Sequence, residues 1–304
     1  TQNKFKFNSK FYKNNCLNRH EYNLADPSSP LDKGKAYDLK VFYKDSFFEK
    51  NDPDKEKYLL KRIDSIFKSN SLDNKCKESF EVLNSLVKVS KNSEGYFYRG
   101  RTKYLCKADF EGALKDLNKA ISMQPNNSEY FYYRGIANDL YGKYEEAITD
   151  FKKAINLDSS KHYYFYSLGI TLYKIGEYEN SKTQLSKALY LNYKWNGYTG
   201  NKYNFTYTYR ALLNRARAKR NLKEYLSGLD DLNIAIERCL NDLCSPHDPY
   251  IEKGNIEFLL DDTQSACSSW NRAQKGIKEN WKNRFKLEHI GNESVYNIYQ
   301  NSCI

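Results

Sequence analysis

The feature that most constrains this chain is a phrase that returns at a fixed interval. Phe131-Tyr132-Tyr133-Arg134-Gly135-Ile136-Ala137 is followed by Gly142-Lys143-Tyr144-Glu145-Glu146-Ala147-Ile148 and then Phe151-Lys152-Lys153-Ala154-Ile155. Starting 34 positions later, the order recurs as Phe165-Tyr166-Ser167-Leu168-Gly169-Ile170-Thr171, Gly176-Glu177-Tyr178, Ser181, Leu185 and Ala188-Leu189. Upstream it reads Tyr96-Phe97-Tyr98-Arg99-Gly100, Phe110-Glu111-Gly112-Ala113-Leu114, Leu117 and Ala120-Ile121. Each copy holds two apolar stripes at helical period joined by a short loop, which predicts a helical hairpin. Such a hairpin cannot bury its apolar face alone and must stack on its neighbours. Gly100, Gly135 and Gly169 fall inside the first helix, where glycine costs roughly 1 kcal/mol unless a second helix has to come close. Ala113, Ala120, Ala147 and Ala154 supply small residues on the second helix, so large aromatics of one helix can interlock with the other.

These residues resemble the tetratricopeptide (TPR) repeat, with segment 128–161 matching almost throughout. A fourth copy runs through Leu212, Arg215-Ala216, Ala218, Tyr225, Gly228, Leu232 and Ala235-Ile236, and a fifth through Tyr250, Lys253-Gly254, Ile256, Ala266, Trp270 and Ala273. The resemblance implies an all-α, right-handed α-solenoid of TPR helical hairpins with a C-terminal capping helix. Residues 93–280 then hold five repeats, with an insert at 196–208 that carries Tyr198, Tyr203, Phe205 and Tyr207 as candidate contacts. Copy one has one additional residue around Leu105-Cys106-Lys107, expected in the hairpin loop. Residues 55–92 read as a degenerate helical hairpin, 281–304 as the capping segment, and 1–54 as an irregular aromatic and basic arm containing Pro27-Ser28-Ser29-Pro30.

Composition narrows the function. A mean hydropathy of -0.85 and the interruption of every apolar run by Lys, Asn or Asp leave no membrane-spanning segment, so any membrane association is peripheral. No phosphate loop, dinucleotide fingerprint or hydrolase elbow occurs. The four histidines, His20, His162, His247 and His289, have no partners at metal or triad spacing, and each is expected at the surface. Glu145-Glu146, Asp230-Asp231 and Asp261-Asp262 are expected to cap helices or face solvent. No enzyme, cofactor or metal site is therefore expected. A net charge of +11 draws acidic partners, and a basic solenoid binding nucleic acid or another polyanion is the alternative to a protein partner.

In the TPR family the first helices line a concave groove. Carried onto this chain, the resemblance implies a partner-binding groove of Phe97, Tyr98, Arg101, Tyr132, Tyr133, Ile136, Tyr163, Tyr166, Tyr173, Arg210, Leu213, Asn214 and Arg217. It reads as aromatic at one end and basic at the other, suited to a protein or peptide segment with hydrophobic and acidic residues. The same stacking sets Cys76 beside Cys106, and the capping helix would bring Cys303 to Cys267. The run from Ala266-Cys267 to the final Cys also resembles the closing repeat of exported TPR proteins of Bacteroidota. Disulfides at these positions imply an oxidising compartment, periplasm or cell surface, where the chain would serve as a scaffold in an envelope or secretion assembly; free thiols would imply the cytoplasm.

Overall fold

The computed structural model describes residues 59, 61–62, 72–89, 92–196, 202–241, 247–277, 285–286 and 289–304. The arm at 1–54 lies outside them, and of the 55–68 segment only Leu59, Lys61 and Arg62 are described, all helical. The chain divides into two compact units, one ending at Lys143 and the other beginning at Tyr144.

The first unit is a run of antiparallel helices. α1 (Leu72–Val89) packs on α2 (Ser93–Thr102), α2 on α3 (Phe110–Met123), and α3 on α4 (Ser128–Tyr141). Polar caps start three of them: the side chains of Asn92, Asp109 and Asn127 accept the backbone N–H of Glu94, Gly112 and Glu129. Val82, Leu83 and Leu86 of α1 close over Leu59, with Tyr98 laid against the cluster. The additional residue of copy one does not lengthen a loop. It is wound into a π-helical turn, Lys103–Lys107, that extends α2 and ends at Ala108 with φ 51°. A π-turn is the way a helix absorbs one inserted residue without losing its axis.

The second unit repeats the hairpin. α5 (Tyr144–Leu157) packs on α6 (His162–Lys174), and three hairpins follow: α6 with α7 (Tyr178–Asn196), α8 (Lys202–Asn221) with α9 (Tyr225–Asn241), and α10 (His247–Leu259) with α11 (Thr263–Ile277). First helices also touch one another, α6 with α8 and α8 with α10. A two-residue hairpin, β1 (His289–Ile290) and β2 (Glu293–Ser294), leads into α12 (Val295–Cys303), which packs on α11. The small residue inside each first helix does what its position requires. A Cβ on Gly169 would stand 2.8 Å from Leu185 Cγ and 3.3 Å from the Ser181 carbonyl oxygen. Ser181 is itself fully buried, and its hydroxyl donates to the Gly169 carbonyl at 2.8 Å. The expected insert is mostly helix: α7 runs on to Asn196 and α8 starts at Lys202, tied together where Asn192 Nδ2 donates to Thr208 Oγ1 at 2.9 Å.

Two hairpins carry the same ionic clamp. In the first unit Arg99 grips Asp116 with two parallel bonds of 2.8 and 2.7 Å, and Lys103 reaches the same carboxylate at 2.8 Å. In the second, Arg215 grips Asp231 at 2.8 and 2.6 Å, joined by Lys219 at 2.9 Å. Both aspartates are buried, at 3% exposure. This corrects the expectation for Asp231, which is neither a cap nor solvated; Asp262 does cap its helix, accepting the Ser265 N–H at 3.0 Å. A buried carboxylate needs its charge and lone pairs matched, and the forked guanidinium plus an ammonium does both.

Cys267 and Cys303 are joined by a disulfide, with 5.5 Å between their Cα atoms. Cys106 in the first unit and Cys239 in the second each take part in a separate disulfide. The side chain of Cys76, the expected partner of Cys106, lies outside the described residues. Among the described residues no helix is long and apolar enough to cross a membrane, and no cluster of His, Cys, Asp and Glu could hold a metal ion.

Candidate binding face

The thirteen residues expected to line a groove separate into buried and half-buried sets. Phe97, Tyr132, Ile136, Tyr163 and Leu213 are buried, between 0% and 7% exposed, and therefore belong to the packing of the repeats. Tyr98, Arg101, Tyr133, Tyr166, Tyr173, Arg210, Asn214 and Arg217 are half-buried.

In the first unit these residues form an aromatic box. Phe97 meets Tyr130 at 4.7 Å, Tyr98 at 5.2 Å and Tyr133 at 5.2 Å between ring centroids, and the Tyr130 hydroxyl is bonded to Ser93 Oγ at 3.0 Å. The Arg101 guanidinium lies 4.1 Å from the Tyr133 centroid and 5.4 Å from that of Phe97. Burial drives the Tyr104 hydroxyl far above its usual range, and Arg101, bonded to it, pulls it partly back. Arg101 was expected to be a fork offered to a partner's carboxylate; instead it is built into the box, because a planar guanidinium is attracted to the ring faces by its charge and can also lie flat on them. Arg101→Glu is accordingly expected to destabilise the protein by about 3 kcal/mol in urea denaturation, since it places a carboxylate against aromatic faces with no cation opposite.

The second unit presents a different surface. On α6, Tyr166 and Tyr173 are seven residues apart, and on α8, Asn214 and Asn221 are too. Asn214 Nδ2 lies 3.4 Å from the Tyr166 hydroxyl, and Asn221 Nδ2 lies 3.4 Å from that of Tyr173. Each Asn also donates one turn back, Asn214 to the Arg210 carbonyl and Asn221 to the Arg217 carbonyl, both at 2.8 Å. Two Tyr–Asn rungs thus cross from one first helix to the next, with Arg210 and Arg217 alternating between them. At the α10 side Glu252, 1% exposed, accepts from Arg220 Nε at 2.5 Å and sits 3.8 Å from Arg217 Nε. Burial raises the Tyr173 hydroxyl pKa, and Glu252 adds to that while Arg217 and Arg220 oppose it. Glu252 offsets one of the two charges of Arg217 and Arg220, so the expected basic end keeps a net positive charge. Among the described residues Arg210 has no ion-pair partner.

Tyr207, assigned by sequence to a contact-making insert, is buried at 8% exposure. Its hydroxyl donates to the His162 carbonyl at 3.0 Å, and its ring lies 4.3 Å from the His162 imidazole and 5.0 Å from Tyr166. It holds the first turns of α8 against α6. Tyr198, and the side chains of Tyr203 and Phe205, lie outside the described residues. Asn221, Arg220 and Glu252 were not singled out from sequence; the heptad recurrence of Asn on α8, in phase with Tyr on α6, is the signal that could have found the first.

His162 is not at the surface as expected. Burial, with Lys161 adding to it, pushes its pKa down to about 4. The unfolded imidazole titrates near 6.5, so the native state carries it neutral and the unfolded state takes up the proton first. Stability is therefore complete above pH 6.5 and falls as the pH drops from 6.5 to 4, by about 3 kcal/mol from this group. His162→Phe should remove that share: the stability gap between parent and variant in urea melts should change by about 3 kcal/mol between pH 7.5 and 4. His247, half-buried, is shifted the same way by burial, whereas His289 is exposed; His20 is outside the described residues.

A family model for the TPR repeat matches residues 141–176. No curated protein matches the sequence. Among solved structures, Pseudomonas aeruginosa PilF superimposes with a TM-score of 0.58 at 12% identity, over 82% of this chain and 97% of that one. MamA (residues 41 to the end) from Desulfovibrio magneticus RS-1 gives 0.52 at 19% identity, over 61% and 95%. YrrB, described as a TPR protein with an unusual peptide-binding site, gives 0.50 at 17% identity, over 65% and 93%. At these identities the likeness is one of fold, and with the repeat match it supports an all-α solenoid of TPR-type hairpins.

Proposed function

We propose that the chain is a non-enzymatic adaptor that holds an extended protein segment along the α6, α8 and α10 face of its second unit. The pair of Tyr–Asn rungs carries this reading. Carboxamides at heptad spacing can exchange their intramolecular bonds for the backbone N–H and C=O of an extended strand, while the flanking tyrosines cover its apolar side chains. Arg210 would receive an acidic residue. The peptide-binding site named for YrrB, a protein of the same fold, agrees with this use of the repeat. The disulfide between Cys267 and Cys303, and those of Cys106 and Cys239, support placing this adaptor in an exported envelope or secretion assembly.

The test is selection of peptides from a random library on the full chain. Selected peptides should lose at least about tenfold in affinity to Arg210→Glu and to Asn221→Ala, with melting unchanged. Raising salt from 50 to 200 mM should weaken them less than about tenfold, where a polyanion making six or more phosphate contacts loses about a thousandfold. Peptides that ignore both substitutions, or a collapse with salt, would overturn the reading.

A further inference from the structure

The C-terminal helix is fastened to the end of the stack in two ways that differ in exposure. Its apolar face enters a dry cluster: Val295 is 0%, Ile298 5% and Tyr299 4% exposed, packed with Trp270 at 0% and Phe285 at 0%. The Tyr299 hydroxyl donates to Asn271 Oδ1 at 2.6 Å, and the Tyr299 ring meets the Trp270 ring edge-on with 6.4 Å between centroids. The covalent fastening lies at the margin of this cluster, with Cys303 packed against it. Cys267, in the first turns of α11, and Cys303, at the last residue of α12, are both partly exposed.

We infer that Cys267 and Cys303 form a thiol-releasable latch: their reduction lets α12 leave α11 as a unit and uncovers the apolar face around Trp270 while the preceding repeats stay folded. A dithiol reductant supplies the chemistry. One of its thiolates attacks a latch sulfur, the Cys267–Cys303 bond breaks, and the departing thiolate takes a proton. The second thiol then displaces the mixed disulfide, so the latch gains two electrons and two protons and the reductant becomes a disulfide. Two features make the opening local. In a one-dimensional stack the terminal element has neighbours on one side only, here chiefly α11, with β2 and Phe285 from the chain leading into α12. The bond closes a separation of 36 residues, so losing it returns a large loop-closure entropy to the end that it restrains. The latch is independent of what the α6, α8 and α10 face binds.

The double variant Cys267→Ser/Cys303→Ser, studied without reductant, leaves the disulfides of Cys106 and Cys239 in place. Amide exchange across 295–303 should accelerate at least tenfold and Trp270 emission should shift to the red, with exchange in α6 to α9 changed less than about threefold. Dithiothreitol on the parent protein should produce the same change across 295–303, reversed on reoxidation. Acceleration below tenfold would show that the apolar cluster alone holds α12. Loss of protection throughout α5 to α11 would show a staple for the whole unit. Either result overturns the latch.

Discussion

Asp231→Ala is expected to destabilise the protein by about 3 kcal/mol or more. The Asp231 side chain is 4% exposed and is the shared anion of Arg215 and Lys219, whose side chains are 21% and 13% exposed. Removing it leaves two cations facing each other across a site that water enters poorly. Arg215 cannot simply swing out, because its Nη1 also donates to Ser186 Oγ of α7 at 3.1 Å, so its loss loosens one hairpin from the next. Asp231→Asn keeps the shape and one acceptor but not the charge, and should fall between parent and Ala. Urea unfolding at pH 7 measures this, with the midpoint shifting and the slope unchanged if the native fold is retained. Asp116→Ala should behave alike through Arg99 and Lys103. A change below about 1 kcal/mol in both would mean that the clamps are surface pairs in energetic terms.

Gly254→Ala should cost about as much, against the direction of helix propensity. Alanine in a helix interior is favoured over glycine by roughly 1 kcal/mol. At this position, however, a Cβ would stand 2.4 Å from Trp270 Nε1 and 2.5 Å from its Cδ1. Trp270 is fully buried, and its Nε1 donates to Asn255 Oδ1 at 3.1 Å and toward the Ile251 carbonyl at 3.3 Å. The indole is rigid, so it can yield only by moving as a body. That breaks these bonds and disturbs the α12 contact on its other side. Overpacking plus the unmet N–H puts the net cost at about 3 kcal/mol, a fall in Tm of roughly 10 °C for a domain of this size. Calorimetry and the Trp270 emission maximum check it. Gly169→Ala should cost less, because Leu185 can change rotamer where an indole cannot.

The hairpins were legible in the sequence because their determinants are local and repeated: a 3.6-residue apolar stripe, a small residue inside it, and a turn. Even the substitutions at the turn follow the pattern. The left-handed residue is Gly176 in one hairpin, and Lys223 and Asp261 stand in that conformation in the next two, at φ 63°. What the sequence hid was the direction of individual aromatics. Tyr132 and Tyr133 are adjacent and chemically identical, yet one is buried and the other half-buried, since a 100° step around a helix separates core from face. Arg101 and Asp231 were misjudged for a related reason. A charged side chain was assigned to solvent or to a partner when its counterpart lay on another helix, 16 residues from Asp231, or was an aromatic ring carrying no formal charge. Asn221 was missed because one Asn is unremarkable and only the in-phase pair across two helices carries meaning.

The π-turn at Lys103–Lys107 bears on how repeats of this kind can diverge. Arg99 and Asp116 are 17 residues apart and Arg215 and Asp231 are 16, yet both pairs close with the same two-pronged geometry. An insertion that would rotate every later side chain out of phase is instead swallowed within a single turn, so what persists through drift is the handshake between helices rather than the count of residues separating them. A ruler of fixed length laid along such a chain will recognise its most regular stretch and pass over copies that are mechanically intact.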